Sequence, residues 1–335
     1  MTPATIRDVA KKAGVSVATV SRVLNKSATV SEKTYQRVLA AIAELDYSPS
    51  PIARRLSIGR THTIGVLIPF LTLPSTVERL RGIQSVFDES EYDLILFSAE
   101  TCTKVDFYLD ELSRRDRVDG VILFSLHPDD THVERFRKSE VPVVLVDATH
   151  PELSSVIVDD VAGGYQATCH LIELGHKRIA YLSDYLENPF GFVSMGQRFE
   201  GYRRALDEVG IPLRPEYHRE GELGGREVLP IAKQLLSLPE RPTAVFAASD
   251  THAVGVMKAA HELGIKVPEE LSVIGYDGIR DSEYLEITTV RQPLFDSGVV
   301  SGNLLLSALT EEKETKSQVI LPTELIVRGT TVPPK

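Results

Sequence analysis

The stretch "TIRDVAKKAGVSVATVSRVLN", residues 5–25, carries the signals of two short helices joined by a tight turn. Thr5 and Asp8 form a capping-box-like start, after which apolar residues recur at helical spacing until Gly14 interrupts them. A glycine at that point supplies the left-handed conformation in which many helices end. The pattern therefore predicts a first helix over about residues 6–13, followed by a turn.

A second and a third helix are predicted beyond the turn. Ser16 is a suitable N-cap for the second helix, in which Val20, Val23 and Leu24 fall on one stripe. Ser31 caps the third, whose apolar face consists of Val38, Ala41, Ile42 and Leu45. Three short helices of this kind are typical of a helix-turn-helix domain, in which the second helix enters the major groove of DNA.

The second predicted helix presents small side chains and one charge away from its apolar stripe. Arg22 can make the two hydrogen bonds that guanine offers in the major groove, and Val17 and Ala18 can contact a thymine methyl group. Hydroxyl groups suit phosphate oxygens. The residues predicted to contact DNA are Thr5, Ser16, Val17, Ala18, Thr19, Ser21, Arg22, Asn25, Ser31, Thr34, Ala53 and Leu56. The alternative is a three-helix packing module whose basic residues are merely solvated.

The charge of the chain is divided unevenly. Residues 1–60 contain ten Lys or Arg against four Asp or Glu, a net charge of +6. Because the whole chain has a net charge of −10, residues 61–335 have a net charge of −16. A basic head on an acidic body indicates that only the head binds a polyanion, because the body repels DNA.

Length and composition describe a folded chain with more than one domain. With 335 residues, of which 42% are hydrophobic, two or three domains are expected. No run of 18 apolar residues occurs and the N-terminus lacks the pattern of a secretory signal, so we expect a cytoplasmic protein. Cys102 and Cys169 are predicted to be buried free thiols.

The segment "SPSPIARRLSIG", residues 48–59, predicts a short helix between the head and the rest of the chain. Ser50 and Pro51 form an N-cap and first-turn pair, so a helix from Pro51 to about Ser57 is expected. Seven residues are too few to be helical alone in water, and the segment should be ordered only when something packs on it. Leu56 fits either interhelix packing or a wedge between base steps in the minor groove.

The remaining residues show two series of strand-like apolar runs separated by amphipathic stretches. The first series includes "TIGVLIP", "DGVILFS" and "PVVLVDA", and the second includes "RIAYLSD", "TAVFAASD" and "LSVIGYD". This alternation is typical of parallel sheets with helices on both faces. The predicted fold is a small all-α helix-turn-helix head plus an α/β body of two similar parallel-sheet lobes.

These patterns also predict the domain boundaries. The head covers residues 1–48, the hinge 49–60 and the body 61–335. Within the body we expect an N-lobe of about 61–160 plus 293–320 and a C-lobe of about 161–290 plus 321–335. A crevice between two such lobes, beside the carboxyl ends of their strands, is where a small ligand binds.

Polar residues at strand ends are the candidate ligand contacts. Asp250 and Asp277 close two of the apolar runs, and Arg198 lies near the start of a predicted helix. A carboxylate accepts hydrogen bonds from vicinal hydroxyls and an arginine supplies a fork of donors, a combination suited to a sugar. The alternative is that these groups cap helices or bridge the lobes.

The sequence contains no motif of a catalytic class. It has no GxxxxGK[ST] loop, no HExxH, no GxSxG and no spaced His and Cys cluster for a metal. His176 is predicted to be structural because it lacks a partner for chemistry. Gly163 and Gly164 fit either a phosphate-binding turn or close helix packing. We therefore expect neither catalysis nor a cofactor.

The motifs "TIRDVAKKAGVSVATVSRVLN", "YSPSPIARRL" and "IGVLIP" together resemble the lac repressor (LacI) family of bacterial transcription regulators, and the similarity continues along nearly the whole chain. The resemblance implies a body like a periplasmic binding protein. It also implies that Val17, Ala18 and Arg22 read half of a near-palindromic operator and that Leu56 of each subunit wedges into its central step. The family pattern has Asn where this chain has Ser50, which caps a helix nearly as well.

The resemblance further implies effector contacts in the cleft. Arg198 and Asp277 match the Arg of the family motif "R..GY" and the Asp of "GYD", and Ser194 and Gln292 match other cleft positions. Two positions depart from the family pattern. Ser249 stands where many members have Asn, and Leu223 stands where several members have an aromatic residue that stacks on the ligand. Phe190 and Phe192 can supply that aromatic face instead. The full predicted set is Ser75, Phe190, Phe192, Ser194, Arg198, Leu223, Ser249, Asp250, Asp277 and Gln292.

The prediction that follows is a ligand-controlled repressor that binds operator double-stranded DNA as a homodimer. A two-fold operator requires a dimer, for which exposed apolar helices of the lobes are the expected interface, and the C-terminus lacks heptads for a tetramer. The effector is expected to be a sugar or sugar derivative, and no membrane partner is expected. One alternative is a sugar-binding transport or chemotaxis receptor. Another is an α/β enzyme such as a sugar kinase or hydrolase, against which the absence of catalytic motifs in the sequence argues.

Overall fold

The structure is a computed structural model that describes residues 4–24, 30–47, 60–222, 224, 227–310 and 316–335. The chain divides into two compact units, Met1–His62 and Thr63–Lys335. The predicted hinge helix lies outside the described residues, together with four of the predicted contacts: Asn25, Ala53, Leu56 and Leu223.

The described part of the first unit, here called the head, is built from short helices. They are α1 (Ile6–Ala13), α2 (Val17–Leu24) and α3 (Glu32–Glu44). The capping box predicted for α1 is present, because the Thr5 backbone nitrogen donates to Asp8 Oδ2 at 2.9 Å. Gly14 ends α1 with a φ of 62°, the left-handed conformation expected of a glycine there.

The core of the head consists of the apolar stripes that the sequence predicts. Its buried members are Val9, Ala10, Ala13, Val20, Val23, Val38, Ala41 and Tyr47. Leu24, Ile42 and Leu45 pack against them from partly buried positions. Because α2 contributes one face to this core, its opposite face remains exposed.

The second unit, here called the body, contains the strands of two sheets. In chain order the strands are β1 (Thr63–Ile68), β2 (Asp93–Ser98), β3 (Gly120–Phe124), β4 (Val143–Val146), β5 (Ser154–Val158), β6 (Ile179–Asp184), β7 (His218–Gly221), β8 (Ala244–Ala247), β9 (Ser272–Asp277), β10 (Thr288–Arg291), β11 (Gln318–Leu321) and β12 (Glu324–Ile326). The spatial orders are β2-β1-β3-β4-β5-β11 and β7-β6-β8-β9-β10-β12. The strands run parallel except β12, which is antiparallel to β10.

Helices connect the strands of both sheets. They are α4 (Pro74–Phe87), α5 (Cys102–Leu112), α6 (Asp130–Lys138), α7 (Asp160–Glu173), α8 (Ser194–Glu208), α9 (Val228–Leu236), α10 (Asp250–Glu262), α11 (Arg280–Tyr284) and α12 (Leu294–Thr310). We call the first sheet with α4, α5, α6 and α12 the N-lobe, and the second sheet with the other body helices the C-lobe.

The two lobes repeat one plan, which confirms the predicted α/β body of two similar lobes. In each sheet the spatial order is second, first, third, fourth and fifth strand, followed by one strand from the end of the chain. The chain crosses between lobes after β5, β10 and β11. Apolar runs do not mark every strand, because β7 has the polar sequence "HREG" and is identified only by its pairing with β6.

Each lobe contains a pair of helices whose backbones come into close contact at glycines. In the N-lobe a Cβ on Gly82 would lie 2.0 Å from a backbone oxygen of α12, and a Cβ on Gly298 would lie 2.0 Å from the Arg79 carbonyl oxygen. In the C-lobe a Cβ on Gly164 would lie 2.2 Å from the Arg198 carbonyl oxygen. Close packing therefore accounts for the glycine pair near the start of α7.

Two further predictions about single residues have different outcomes. His176 has a structural place, since Nδ1 pairs with the Thr243 hydroxyl and Nε2 with the Val332 carbonyl oxygen, each at 2.9 Å, and burial lowers its pKa. Cys102 and Cys169 are free, but both are only half-buried, because they lie on helix faces near the surface. In the described ranges, no helix combines the length and hydrophobicity that a membrane span requires.

Candidate functional site

The exposed face of α2 carries the residues predicted to read DNA. Val17 is 41% exposed and Ala18 and Arg22 are exposed beside it, whereas Val20 and Val23 are buried. Small side chains on this face allow a close approach of the helix to another surface. Of the other predicted contacts on α2, Thr19 and Ser21 are half-buried.

The hydroxyls predicted to bind phosphates form two matched pairs at helix starts. Ser16 Oγ lies 2.9 Å from Thr19 Oγ1 at the start of α2, and Ser31 Oγ lies 3.0 Å from Thr34 Oγ1 at the start of α3. Because one hydroxyl of each pair donates to the other, each pair retains one proton for a further acceptor. Thr5 differs, since its hydroxyl donates to a carboxylate within the α1 capping box at 2.6 Å.

A cavity between the lobes lies at the carboxyl ends of their parallel strands, where the sequence predicts a ligand site. Its lining includes these predicted contacts: Ser75, Phe192, Ser194, Arg198, Ser249, Asp277 and Gln292. It also includes polar residues that the sequence analysis missed: Arg79, Ser125, Asp147, Asp184 and His252. Both lobes therefore contribute charged groups to one cavity.

Arg198 of α8 is buried and has partners on several sides. Its Nε donates to Asp160 Oδ1 and its Nη1 to the Ala248 carbonyl oxygen, both at 2.7 Å. The guanidinium carbon lies 3.8 Å from the centre of the Tyr276 ring, and Nη1 is 3.6 Å from Asp277 Oδ1. Burial lowers the pKa of Arg198, but the charges of Asp160 and Asp277 more than offset this and raise it, so the group stays charged.

A chain of hydrogen bonds leads from Asp277 in the C-lobe to Arg79 in the N-lobe. Gln292 Nε2 donates to Asp277 Oδ1 at 2.7 Å, and Gln292 Oε1 accepts from Arg79 Nη2 at 2.9 Å. Burial raises the pKa of Asp277, although the charges of Arg198 and Arg79 act in the opposite direction. Gln292 lies between β10 and α12, so it contacts charged groups of both lobes.

Arg79 of α4 is the N-lobe counterpart of Arg198. Three residues after each arginine, a glycine packs against a partner helix. This glycine is Gly82 in the N-lobe and Gly201 in the C-lobe. Arg79 Nη2 lies 3.4 Å from Asp147 Oδ1, as Arg198 lies 3.6 Å from its own strand-end aspartate. The repeated R-x-x-G spacing is the signal in the sequence that could have identified Arg79.

A second polar group, at the C-lobe edge of the cavity, consists of Asp184, His252 and Ser249. His252 Nε2 lies 3.1 Å from Asp184 Oδ1, and Nδ1 lies 2.5 Å from Ser249 Oγ. Ser249 Oγ also caps α10 by accepting from the His252 backbone nitrogen at 3.2 Å, and Asp184 Oδ2 accepts from the Gly224 nitrogen at 3.2 Å. These bonds hold the start of α10 and the position of Gly224 at the cavity edge.

The predicted aromatic face is present, but it uses one ring of the two expected. Phe190 and Phe192 stack with centroids 5.2 Å apart, and Phe70 of the N-lobe side meets both edge-on. Phe192 lines the cavity. Phe190 does not line it and lies instead next to α5, near the bond from Cys102 Sγ to the Pro189 carbonyl oxygen.

Asp250 also lies away from the cavity lining, contrary to expectation. Its Oδ2 accepts from the backbone nitrogens of Gly278 and Ile279 at 2.7 and 3.0 Å, and its Oδ1 accepts from the Thr289 hydroxyl at 2.6 Å. Burial raises its pKa to about 7. Both of its carboxylate oxygens are engaged by the protein, so Asp250 supports the loop after Asp277.

A helix-turn-helix head and a two-lobed body with a polar cavity define a class of proteins, the ligand-controlled transcription regulators. A family model described as "Bacterial regulatory proteins, lacI family" matches residues 5–50. A second, described as "Periplasmic binding protein-like domain", matches residues 168–331.

Relatives match the chain over nearly its whole length. Catabolite control protein A of Priestia megaterium is 36% identical over 332 residues, which cover 98% of this chain and 99% of the relative. A solved lac repressor dimer bound to operator and the anti-inducer ONPF superposes with a TM-score of 0.82 at 31% identity, covering 98% and 99% of the two chains. A transcriptional regulator CelR–cellobiose complex gives 0.72 at 31%, with the same coverage.

The chain belongs to the lacI family of bacterial regulatory proteins. It is therefore a transcription regulator with a DNA-binding head and an effector-binding body, and it is not an enzyme.

Proposed function

We propose that this chain is a repressor that binds a near-palindromic operator as a homodimer in the cytoplasm, under the control of a sugar or sugar derivative in the cavity between the lobes. The observation that carries the proposal is the division of α2 into a buried apolar face and an exposed face with Val17, Ala18 and Arg22. Effector binding would act on the operator through the hinge segment, residues 49–60, in which Leu56 is the proposed minor-groove wedge.

The operator proposal is tested by gel shift of genomic fragments, followed by fluorescence anisotropy with the selected fragment and with an unrelated duplex. Arg22→Gln should weaken operator binding by about 1–3 kcal/mol, the usual discrimination of a bidentate base contact. Binding to the unrelated duplex should change far less, and affinity should fall steeply with salt.

The matched control is Lys12→Gln, which removes another exposed charge of the head, one paired with Glu44 at 2.6 Å. This variant should affect both duplexes equally, because phosphate contacts carry no sequence information. An Arg22→Gln variant that also weakens both duplexes equally would contradict the assignment of α2 as the reading helix.

The cavity supports a sugar-like effector because it combines hydroxyl partners with an apolar ring. Asp277 offers a carboxylate, Arg198 and Gln292 offer further polar groups, and Phe192 offers an aromatic face. The related CelR structure is a complex with cellobiose, which is in keeping with this ligand class.

The effector proposal is tested by a thermal-shift screen of neutral sugars, sugar acids and sugar phosphates, with and without operator DNA. A compound that raises Tm but lowers operator affinity is an inducer, and one that raises both is a corepressor. Asp277→Asn should abolish the shift. A shift that survives in this variant would place the ligand elsewhere.

The proposed dimer interface is an apolar groove between α4 and the edge strand β2. Val77 on α4 and Ile95 and Leu96 on β2 are more than 40% exposed, and Leu80 and Leu94 line the groove between them. An exposed apolar edge strand pairs readily with another chain, so a second copy is the occupant that we propose. The interface thus includes a strand in addition to the apolar helices expected from the sequence.

Leu96→Asp tests this interface. The variant should be a monomer by analytical ultracentrifugation and should lose operator affinity by roughly a hundredfold or more, since a single head contacts only half of the operator. Leu213→Asp is the control, because Leu213 is similarly exposed on the C-lobe. A Leu96→Asp variant that remains dimeric would rule out the groove.

A further inference from the structure

We propose that the effector carries an anionic group, a carboxylate or a phosphate, and that Arg79 binds it. The proposal rests on the proposed function, because it requires a ligand in the cavity between the lobes. Its basis is a difference between two buried arginines in equivalent places: the protein compensates the charge of Arg198 and leaves that of Arg79 incompletely compensated.

The two arginines can be compared position by position. The carbonyl oxygen of each faces a glycine of the partner helix, on α12 for Arg79 and on α7 for Arg198. Four residues before that glycine the partner helix begins, with Leu294 in the N-lobe and Asp160 in the C-lobe. The C-lobe therefore has a carboxylate beside its arginine, and the N-lobe has a leucine at the equivalent position of its partner helix.

The remaining partners of Arg79 are weaker than those of Arg198. Nη2 donates to the neutral Gln292 Oε1 at 2.9 Å, and its carboxylate partner, Asp147, is 3.4 Å away and also accepts from Ser125 at 3.2 Å. Arg79 is 6% exposed, and its buried Nε has no acceptor within hydrogen-bond distance in the described part of the chain. A buried donor without a partner costs free energy, which an incoming acceptor would recover.

An anionic group fits this donor because a guanidinium binds two oxygens of a carboxylate or phosphate side by side. The carboxylates of the cavity already accept hydrogen bonds from the protein, Asp277 from Gln292 and Asp184 from the Gly224 backbone nitrogen. Of the two guanidinium groups that line the cavity, Arg198 is already paired with Asp160, so attraction for a ligand anion is concentrated at Arg79, while ligand hydroxyls have Asp277 as a partner on the opposite lobe.

The test is isothermal titration of the full chain with matched pairs of ligands: D-galacturonate and D-galactose, D-glucuronate and D-glucose, and D-glucose 6-phosphate. We expect at least one anionic member to bind more tightly than its neutral counterpart. Arg79→Gln should weaken that binding about tenfold or more, the usual strength of a charged hydrogen bond, and should change the affinity for the neutral member far less. Arg203→Gln, at an exposed arginine of α8, is the control and should have no effect.

The outcomes separate the two proposals. A neutral sugar that binds as tightly as its acid, equally to the parent chain and to Arg79→Gln, overturns the anion proposal and leaves the sugar effector standing. Absence of binding by every compound counts against both. A preference for the phosphate over the uronates identifies phosphate as the source of the anion.

Thermal unfolding without ligand supplies an independent measurement. Arg79→Gln should leave Tm within about 2 °C of the parent, or raise it, because an incompletely compensated charge is removed. Arg198→Gln should lower Tm by more than about 5 °C, since it leaves Asp160 buried without its cation. A large loss of stability in Arg79→Gln would show a structural charge and overturn the proposal.

Discussion

The N-lobe and the C-lobe share a backbone plan, but they treat their equivalent arginines differently. Arg79 and Arg198 each lie on the helix after the first strand of their sheet, and each faces an aspartate that follows or ends the fourth strand, Asp147 or Asp277. Both aspartates have positive φ values, 62° and 111°. The same backbone geometry thus recurs in both lobes.

The difference is in the electrostatic surroundings of the guanidinium. Arg198 has Asp160 at 2.7 Å, a carbonyl oxygen and an aromatic ring, whereas Arg79 has a glutamine and a carboxylate at 3.4 Å. A repeated fold can therefore keep a charged side chain in the same position in both lobes. In one lobe the protein itself pairs the charge, and in the other the charge remains available to a ligand.

The largest difference in stability between the lobes is expected when the carboxylate partner of each arginine is replaced. Asp160→Asn should reduce the free energy of unfolding by at least about 3 kcal/mol, because it leaves a buried guanidinium without its nearest anion. Asp147→Asn should cost less, about 1–2 kcal/mol, since its contact with Arg79 is long and an amide oxygen at this position can still accept from the guanidinium. Urea unfolding of both variants measures the difference. Equal losses would mean that the two arginines are equally structural.

The helix contacts should respond alike in the two lobes. Gly82→Ala and Gly164→Ala each place a Cβ within 2.2 Å of a backbone oxygen and should destabilise the protein by about 2–3 kcal/mol through overpacking. Gly196→Ala on α8 is the control, because no atom lies within 4 Å of its added Cβ, and alanine there should stabilise by about 0.5–1 kcal/mol. If Gly82→Ala caused little loss of stability, the helix contacts of the two lobes would not be equivalent.

Leu294 offers a way to convert one lobe toward the other. Leu294→Asp should supply Arg79 with the partner that Asp160 gives Arg198, and should abolish the preference for an anionic ligand. The same substitution in an Arg79→Gln background buries an unpaired carboxylate. A double-mutant cycle of unfolding free energies should therefore give a coupling of about 2 kcal/mol. Additive effects would show that a carboxylate at position 294 does not interact with the guanidinium of Arg79.

The pH dependence of stability should have opposite signs at two aspartates, one in each lobe. Asp250 has its pKa raised by burial to about 7, whereas the exposed Asp129, the N-cap of α6, has its pKa lowered, chiefly by the backbone nitrogen of His132. A raised pKa means that the folded state holds the proton longer, so Asp250 makes stability decline as the pH rises from about 4 to 7. Lowering the pKa of Asp129 has the reverse sign and acts below about pH 4.

Asp250→Asn isolates this contribution. The unfolding free energy of the parent chain, relative to that of Asp250→Asn, should fall by about 2.5 kcal/mol between pH 5 and pH 7.5, because one pKa unit corresponds to about 1.4 kcal/mol. Thermal or urea unfolding at several pH values provides the comparison. A difference that stays constant over this range would mean that Asp250 does not titrate there.

The predictions that succeeded depend on neighbouring residues. The α1 capping box, the end of α1 at Gly14 and the buried stripe of α2 each involve groups within a few positions of one another. The two-lobed body followed from apolar runs, although the polar strand β7 left no such pattern. In the cavity, Arg198 and Asp277 were indicated by their places at a helix start and a strand end, and then by the resemblance to the family.

The residues that were missed or misplaced depend on distant partners. Arg79 meets Gln292 across 213 positions, and His252 meets Asp184 across 68. Asp250 looks like Asp277 in the sequence, since both close an apolar run, but three donors from the loop after β9 and from β10 engage only Asp250. Phe190 and Phe192 are two residues apart, and only Phe192 lines the cavity.

The helices of the head, the α/β character of both lobes and the family could all be predicted from the sequence, because capping, periodicity and apolar runs are local properties of a chain. Which buried charges are compensated, and which side chains reach the cavity, became visible in the folded structure. The reason is physical: the free energy of a buried charge depends on the few atoms within about 4 Å of it, and in a folded chain these atoms come from remote positions.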